Sequence, residues 1–370
     1  MSRTLLRAEV FLRRLLLRPR LDLPLLAALL LLAALGLFFL ASAADLSWRT
    51  IGGQALRFVI GFAVLYAIAR IPPAQFRRWT PPLYAASLLL LLLVLVHGEG
   101  SGADRWLNLG VVRFQPSELL KLTMPMMVAW YLARRPLPPS WRDTGAVLLL
   151  IALPAVLIAK QPDLGTALLV VMAGAFALFL SGLSLRRIGL MFAALLALLP
   201  VAWHHMHDYQ RERVLTLLNP ESDPLGTGWH IIQSEIAVGS GGVLGKGFMQ
   251  GTQAQLQFLP EHTTDFILAV VGEEFGLVAV LLLLALYLFI IGRSLWIASN
   301  ARDTYARLLG GALALSFFVY VLVNGGMISG LLPVVGVPLP LVSYGGTSAV
   351  SLLAGFGVLM SIHAHRKFMK

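Results

Sequence analysis

The chain reads as an all-α polytopic membrane protein with about ten transmembrane helices, both termini cytoplasmic and one large extracytoplasmic loop. Three observations predict this. Of the 370 residues 58% are hydrophobic and only 13% are charged, with a mean hydropathy of +0.80, whereas soluble domains carry about 25% charged residues. The apolar residues fall into long runs separated by polar, Pro or Gly punctuation. The basic residues cluster at short junctions between those runs. A formal charge of +11 distributed in this way serves membrane topology and not a nucleic-acid partner. The chain has no cysteine, which excludes disulfides, thiolate metal sites and thiol nucleophiles.

In order, the apolar segments lie at about 23–43, 52–70, 81–97, 115–133, 145–160, 164–182, 187–203, 265–292, 305–326 and 344–362. Before them, residues 1–22 form a basic cytoplasmic N-terminus. Arg3, Arg7, Arg13, Arg14 and Arg18 alternate there with leucines, the pattern of an amphipathic surface helix or a topogenic tail, and no cleavable signal is evident. With that end inside, the inner junctions hold Arg70, Arg77 and Arg78; Arg134, Arg135 and Arg142; Arg186 and Arg187; Arg293, Arg302 and Arg307; and Arg366, Lys367 and Lys370. Most of the 29 lysines and arginines are then cytoplasmic, as the positive-inside rule requires. Of the 18 acids only Glu9, Asp22, Asp143 and Asp303 fall inside. The remaining acids, in outer loops or in the membrane, mark where function is to be sought. Residues 1–370 form a single membrane domain whose outer loop spans 205–264.

Asp265 sits where that loop enters the eighth apolar run. Burying a carboxylate at mid-bilayer costs roughly 2.5–3.5 kcal/mol unless it is paired or hydrated. Thr263 and Thr264 are placed to cap the helix start, and an acid there suits the helix dipole. Pro116 and Ser117 start a helix on which Glu118 and Lys121, at i and i+3, can form an intramembrane pair. Between two closely spaced runs, Lys160-Gln161-Pro162-Asp163-Leu164-Gly165 breaks the helix and offers a polar wall or a tight outer turn. In the long loop, Asp208-Tyr209-Gln210-Arg211-Glu212-Arg213 is dense in charge, residues 231–238 read as an amphipathic helix lying on the bilayer, and Gly-rich turns surround Lys246. The P-loop spacing is absent, as are zinc and Ser/His/Asp signatures, and His204, His205 and His207 lack metal-site spacing. Glu273 and Glu274 lie about 12 Å further along the helix that follows Asp265, where helix packing or a polar cavity must receive them. The uncharged Pro/Gly stretch 336–347, containing Ser343, reads as an outer plug. An outward cavity with Asp265 and the cations Arg105, Lys121, Lys160, Arg211, Arg213 and Lys246 suits a lipid-linked phosphate substrate. An ion-coupled carrier would use similar residues.

Five stretches carry a resemblance that covers nearly the whole chain: Arg113-Phe-Gln-Pro-Ser-Glu118, Gln161-Pro-Asp-Leu-Gly-Thr166, Glu221-Ser-Asp-Pro-Leu-Gly226 with Gln233-Ser234, Leu259-Pro-Glu261 with Thr264-Asp265-Phe266, and residues 336–346. The chain resembles the SEDS (shape, elongation, division and sporulation) family of peptidoglycan glycosyltransferases, and within it the RodA-like elongation branch more than the FtsW-like division branch. The resemblance implies polymerisation of lipid II into β-1,4 glycan strands at the outer face of the bacterial inner membrane. It implies Asp265 as the essential aspartate, here taken as general base on the acceptor 4-hydroxyl, with undecaprenyl pyrophosphate leaving. It also implies Arg105, Lys121, Arg211, Arg213 and Lys246 as pyrophosphate-binding candidates, and Glu118, Lys160, Asp163 and Ser343 in support. No metal ligands are assigned, although a divalent cation (Mg²⁺ or Mn²⁺) is compatible with the chemistry. The partners implied are lipid II and the growing strand, a class B penicillin-binding protein, the elongation machinery (MreB, MreC and MreD) and membrane lipids. A lipid II flippase and a recruiting scaffold are the competing readings. The family commonly reads His-Thr-Asp-Phe where this chain has Thr263-Thr264-Asp265-Phe266, so no role passes to His262.

Overall fold

In the computed structural model, residues 21–97, 105–108, 113–206, 208–223, 226–256, 258–259 and 261–366 are described. The amphipathic N-terminal reading, Lys367 and Lys370 lie outside them. The described chain is helical apart from a two-residue antiparallel pair, β1 (Leu107–Asn108) and β2 (Arg113–Phe114), with Leu107 opposite Phe114. Helices α1 (Leu23–Ala43), α2 (Trp48–Ala69), α3 (Pro73–His97), α4 (Ser117–Leu132), α5 (Trp141–Ala159), α6 (Leu164–Leu180) and α7 (Leu185–His205) precede the long loop. The loop carries α8 (Asp208–Leu218), α9 (Thr227–Ser240) and α10 (Thr252–Gln255). After it come α11 (Ile267–Ser299), α12 (Thr304–Ile328) and α13 (Thr347–Ala364). Each predicted apolar segment is occupied by a helix. Among the described residues seven helices, α1, α2, α3, α5, α11, α12 and α13, are long and apolar enough to cross a membrane. This is a multi-pass membrane protein.

Helix α3 starts eight residues before its expected start, with Pro81 and Pro82 inside it. Those prolines supply no N–H to the Arg77 and Arg78 carbonyls, and the Thr80 hydroxyl bonds back to the Phe76 carbonyl at 2.8 Å. The core is a large apolar cluster drawing chiefly on α1–α6 and α11–α13, with a smaller one of Leu169, Val319, Tyr320, Val323, Met327 and Val337 between α6, α12 and the loop before α13. Across the bundle, α13 packs most extensively on α2, and α12 on α11 and α6. At the edge, Leu190, Phe192, Leu195 and Leu198 of α7 stay exposed, as a lipid-facing helix requires.

Two departures from regular helix shape the upper half of the bundle. In α11, Gly276 has φ +71° and ψ −172°, a conformation essentially reserved for glycine. The backbone groups released there are taken up by the loop after α9. Lys246 and Gly247 N–H donate to the Glu273 and Glu274 carbonyls at 3.0 and 2.8 Å, and Leu277 and Val278 N–H donate to Gly242 and Val243 at 3.0 and 3.2 Å. No side chain would fit, because a Cβ on Gly276 would lie 2.4 Å from Gly245 N. The second departure is the Pro/Gly stretch before α13. Expected as an outer plug, it descends into the bundle instead. Leu341 O would be 2.2 Å from a Cβ on Gly36 in the middle of α1, and the buried Tyr287 hydroxyl of α11 donates to Pro340 O at 2.6 Å. Irregular backbone at that depth is tolerated where it is held by protein or lines a cavity.

Candidate active site

Asp265 precedes α11 in a turn whose backbone folds back on Glu261: Thr264 and Phe266 N–H donate to the Glu261 carbonyl at 3.0 and 3.2 Å. Neither threonine caps the helix. The Thr264 hydroxyl donates to Glu261 Oε2 at 2.7 Å, and Phe266 at the cap position has no side-chain acceptor. The turn is fixed from outside by the descending loop. Ser343 Oγ donates to the Thr264 carbonyl and accepts from Leu339 N–H at 2.8 Å, while Tyr344 N–H donates to the Thr263 carbonyl at 2.8 Å. Asn324, buried in α12, donates through Nδ2 to the carbonyls of both Asp265 and Val337, each at 2.8 Å. Burial raises the Asp265 carboxyl to about 6, the Glu261 charge adds to the rise, and the Arg213 charge opposes it.

The Asp265 carboxylate stands beside the loop at Gly336, where an added Cβ would be 3.6 Å from Oδ2. Gly336 lines a cavity of about 180 Å³ together with Arg105, Trp106, Gln115, Glu118, Lys121 and Asp163. Four of the expected site residues therefore share one chamber, and Asp265 lies next to its Gly336 edge without lining it. Lys121 Nζ lies 2.7 Å from Glu118 Oε1, the predicted i, i+3 pair. Glu118 Oε2 accepts from Ser351 Oγ at 2.5 Å, and the Lys121 ammonium lies 5.4 Å from the Tyr320 ring centre. Asp163 caps α6 by accepting from Thr166 N–H at 3.1 Å, receives Gln115 Nε2 at 3.0 Å, and stands 3.9 Å from Arg105 Nη1. Arg105 is further tied to the Gln161 and Pro162 carbonyls at 3.3 and 2.7 Å. Gly165 lets α6 approach the descending loop, since a Cβ there would meet Val335 O at 2.3 Å.

Four candidate cations, Lys160, Arg211, Arg213 and Lys246, do not line this chamber, and Arg213 acts on Asp265 through its charge. Lys160 is exposed at the end of α5. Arg211 is bound to the Trp203 and His204 carbonyls at 3.0 and 2.7 Å and faces Asp208. Lys246 neutralises the fully buried Glu273 at 2.6 Å, which explains why α11 can carry that acid. Helix α9 packs against α11 and α12, with Ser234 Oγ donating to the Ile328 carbonyl at 3.0 Å, and does not lie free on a surface. Among the described residues no three His, Asp or Glu side chains are grouped as a resident metal site would need. The Glu118 and Asp163 carboxylates are already engaged by Lys121, Ser351, Gln115 and the Thr166 N–H.

From the chamber a groove of about 1050 Å³ runs down α2, α4 and α13, sharing Trp106, Glu118, Gly346 and Thr347 with it. Ile60, Val64 and Ile68 of α2 line its length and Arg57 stands near its polar end. Arg57, Gln54, Asn324 and Tyr344 were not among the expected site residues. The signal for Arg57 and Asn324 was present, because each is a polar residue inside an apolar run. Gln54 and Tyr344 became visible only through their contacts.

A helical membrane bundle with a half-buried carboxylate, an ion-paired chamber and a lateral groove defines an integral membrane protein whose polar centre adjoins an apolar flank. Residues 22–368 match the family of cell cycle proteins FtsW, RodA and SpoVE, and the chain belongs to that family. Over 348 residues it is 54% identical to peptidoglycan glycosyltransferase MrdB of Escherichia coli, covering 93% of each chain. It superposes with a TM-score of 0.82 on a chain from a peptidoglycan synthase complex described as coordinating polymerization and crosslinking, at 37% identity and covering 94% of this chain and 98% of that one. The rod shape determining protein RodA of Thermus thermophilus superposes with a TM-score of 0.71 at 31% identity, with the same coverage.

Proposed function

We propose that the chain is a peptidoglycan glycosyltransferase that polymerises lipid II during cell elongation, at the periplasmic face of the bacterial inner membrane. Its ten helices would span that membrane with both termini cytoplasmic. The observation that carries the site assignment is the placement of Asp265: half-buried, in a turn whose backbone carbonyls are held by Asn324, Ser343 and Tyr344, and beside Gly336 of the ion-paired chamber. With a pKa near 6 the carboxylate is ionised at neutral pH yet basic enough to accept a proton. It takes the proton of the acceptor 4-hydroxyl as that oxygen attacks the donor's anomeric carbon. The bond from that carbon to the diphosphate oxygen breaks with inversion, and the electron pair leaves on undecaprenyl pyrophosphate. Glu118, Asp163 and Ser343 keep the chamber in shape, while Arg105, Lys121 and Arg213 supply positive potential around it. A class B penicillin-binding protein that crosslinks the new strand is the fitting partner, in the company of MreB, MreC and MreD.

Purified protein supplied with lipid II is expected to form glycan polymer, and Asp265→Asn to lower the rate by about 10²–10⁴-fold, the usual contribution of a general base. Polymer formation undiminished by Asp265→Asn would sink the assignment of the base. Donor crossing a vesicle bilayer with no polymer formed would favour the flippase.

A further inference from the structure

Arg57 lies about 13 Å along α2 from Trp48, at 1.5 Å per residue. A guanidinium inside a spanning helix belongs in the bundle interior or in a polar cavity, and Arg57 lines the lateral groove beside Trp106, Glu118 and Ser351. Its partners are neutral. Nη1 donates to Gln54 Oε1 at 3.3 Å, Nη2 donates to the Tyr344 hydroxyl at 3.2 Å, and the guanidinium carbon lies 4.6 Å from the Tyr344 ring centre. Four other cations of the outer half are compensated: Lys121 by Glu118, Arg105 by Asp163, Lys246 by Glu273 and Arg211 by Asp208. Among the described residues no carboxylate compensates Arg57.

A guanidinium presents five N–H donors, and these contacts occupy two. Beyond it the groove is apolar, walled by Ile60, Val64 and Ile68 on α2 and by Leu119, Leu122 and Val350 opposite. One uncompensated cation at the polar end of a long apolar trough is complementary to an amphiphile with an anionic head and a hydrocarbon tail. We infer that Arg57 binds the diphosphate of the polyprenyl-linked donor and of the released carrier, through charge-assisted hydrogen bonds. The inference rests on the glycosyltransferase reading above and adds to it a residue that the motif stretches do not contain.

The placement suits the reaction. In an inverting displacement the base and the leaving group work on opposite faces of the sugar. Asp265 lies against the start of the descending loop at Gly336, and Arg57 against its far end at Tyr344. As the anomeric bond breaks, negative charge grows on the diphosphate, where a fixed cation in a poorly hydrated groove stabilises it most.

The test is binding by native mass spectrometry of the full chain in detergent, with undecaprenyl diphosphate, undecaprenol, inorganic pyrophosphate and phosphatidylglycerol as probes. Wild type is expected to prefer undecaprenyl diphosphate to the other three. Arg57→Gln should weaken diphosphate binding about tenfold or more and leave undecaprenol unchanged, with Arg57→Lys intermediate. Tyr344→Phe, which removes the hydroxyl contact but keeps the ring, should retain the preference for the diphosphate. In turnover, Arg57→Gln should raise KM for the donor while the acid limb set by Asp265 stays in place. Equal diphosphate binding by wild type and Arg57→Gln would overturn the assignment, as would parallel loss of diphosphate and undecaprenol in Arg57→Gln and Tyr344→Phe, which marks a scaffold role. Equal affinity of wild type for phosphatidylglycerol would make the site a general anionic-lipid contact and overturn it too. Failure of wild type to bind any polyprenyl diphosphate would instead remove the glycosyltransferase reading.

Discussion

Asp265 is held in a conflict between stability and activity. Burial and Glu261, outweighing Arg213, push its carboxyl up to about 6, while the proposed reaction needs it ionised. The polymerisation rate should therefore rise as pH climbs through about 6 and level off above it. Removing the opposing charge in Arg213→Gln should move that limb to higher pH, and Glu261→Gln should move it lower, as read from initial rates against pH. The stability linkage has the opposite sign. A carboxyl whose folded pKa lies above its unfolded value of 3.8 favours the folded state when protonated, and that contribution fades as pH rises through about 6. Asp265→Asn should accordingly be inactive yet melt higher than wild type at pH 8. The sequence made Asp265 and the Glu118–Lys121 pair legible, because acids at a membrane boundary and i, i+3 charges inside a span have few other uses. It did not make Gln54 or Tyr344 legible as site residues, since their contacts join positions 289 and 81 residues away in the chain.

The upper part of α11 stands on the loop that follows α9. Lys246 compensates a carboxylate with no solvent exposure. Lys246→Ala should cost about 3–5 kcal/mol, the usual penalty for leaving a buried charge unpaired, measured as a lowered unfolding midpoint in detergent. Lys246→Met combined with Glu273→Leu should recover most of it. Gly276→Ala should be at least as damaging, since both the φ of +71° and the approach of Gly245 forbid a side chain. Periodicity and hydropathy located the helices to within a few residues, except that α3 begins eight residues before its apolar run and α11 ends seven residues beyond its own. The break at Gly276 was invisible because the composition around it is that of an unbroken span, and because its lost hydrogen bonds are restored by residues 242–247, some thirty positions earlier.

Across the whole molecule, the first and last spans are joined by a polar latch. Asp22 caps α1 through Leu25 N–H, receives the Arg293 guanidinium of α11 at 2.7 and 3.0 Å, and stands 3.4 Å from His363 Nδ1 of α13. Burial pushes the Asp22 carboxyl up, but Arg293, the Leu25 N–H and His363 together hold it below 3.8. Its contribution is present at neutral pH and lost on acidification past that value, so Arg293→Ala should lower the unfolding midpoint at pH 7 and lose its effect under strong acid. The lateral groove has a different consequence. Its walls are the flanks of spanning helices, so in the proposed reaction a lipid-linked donor would enter sideways, from the plane of the bilayer. Encounter is then a two-dimensional process governed by molecules per unit area and not by molecules per litre. Diluting protein, donor and detergent together should leave the turnover per enzyme nearly unchanged. Adding empty micelles at constant donor should slow it in proportion, and a Michaelis constant for this protein is properly a mole fraction.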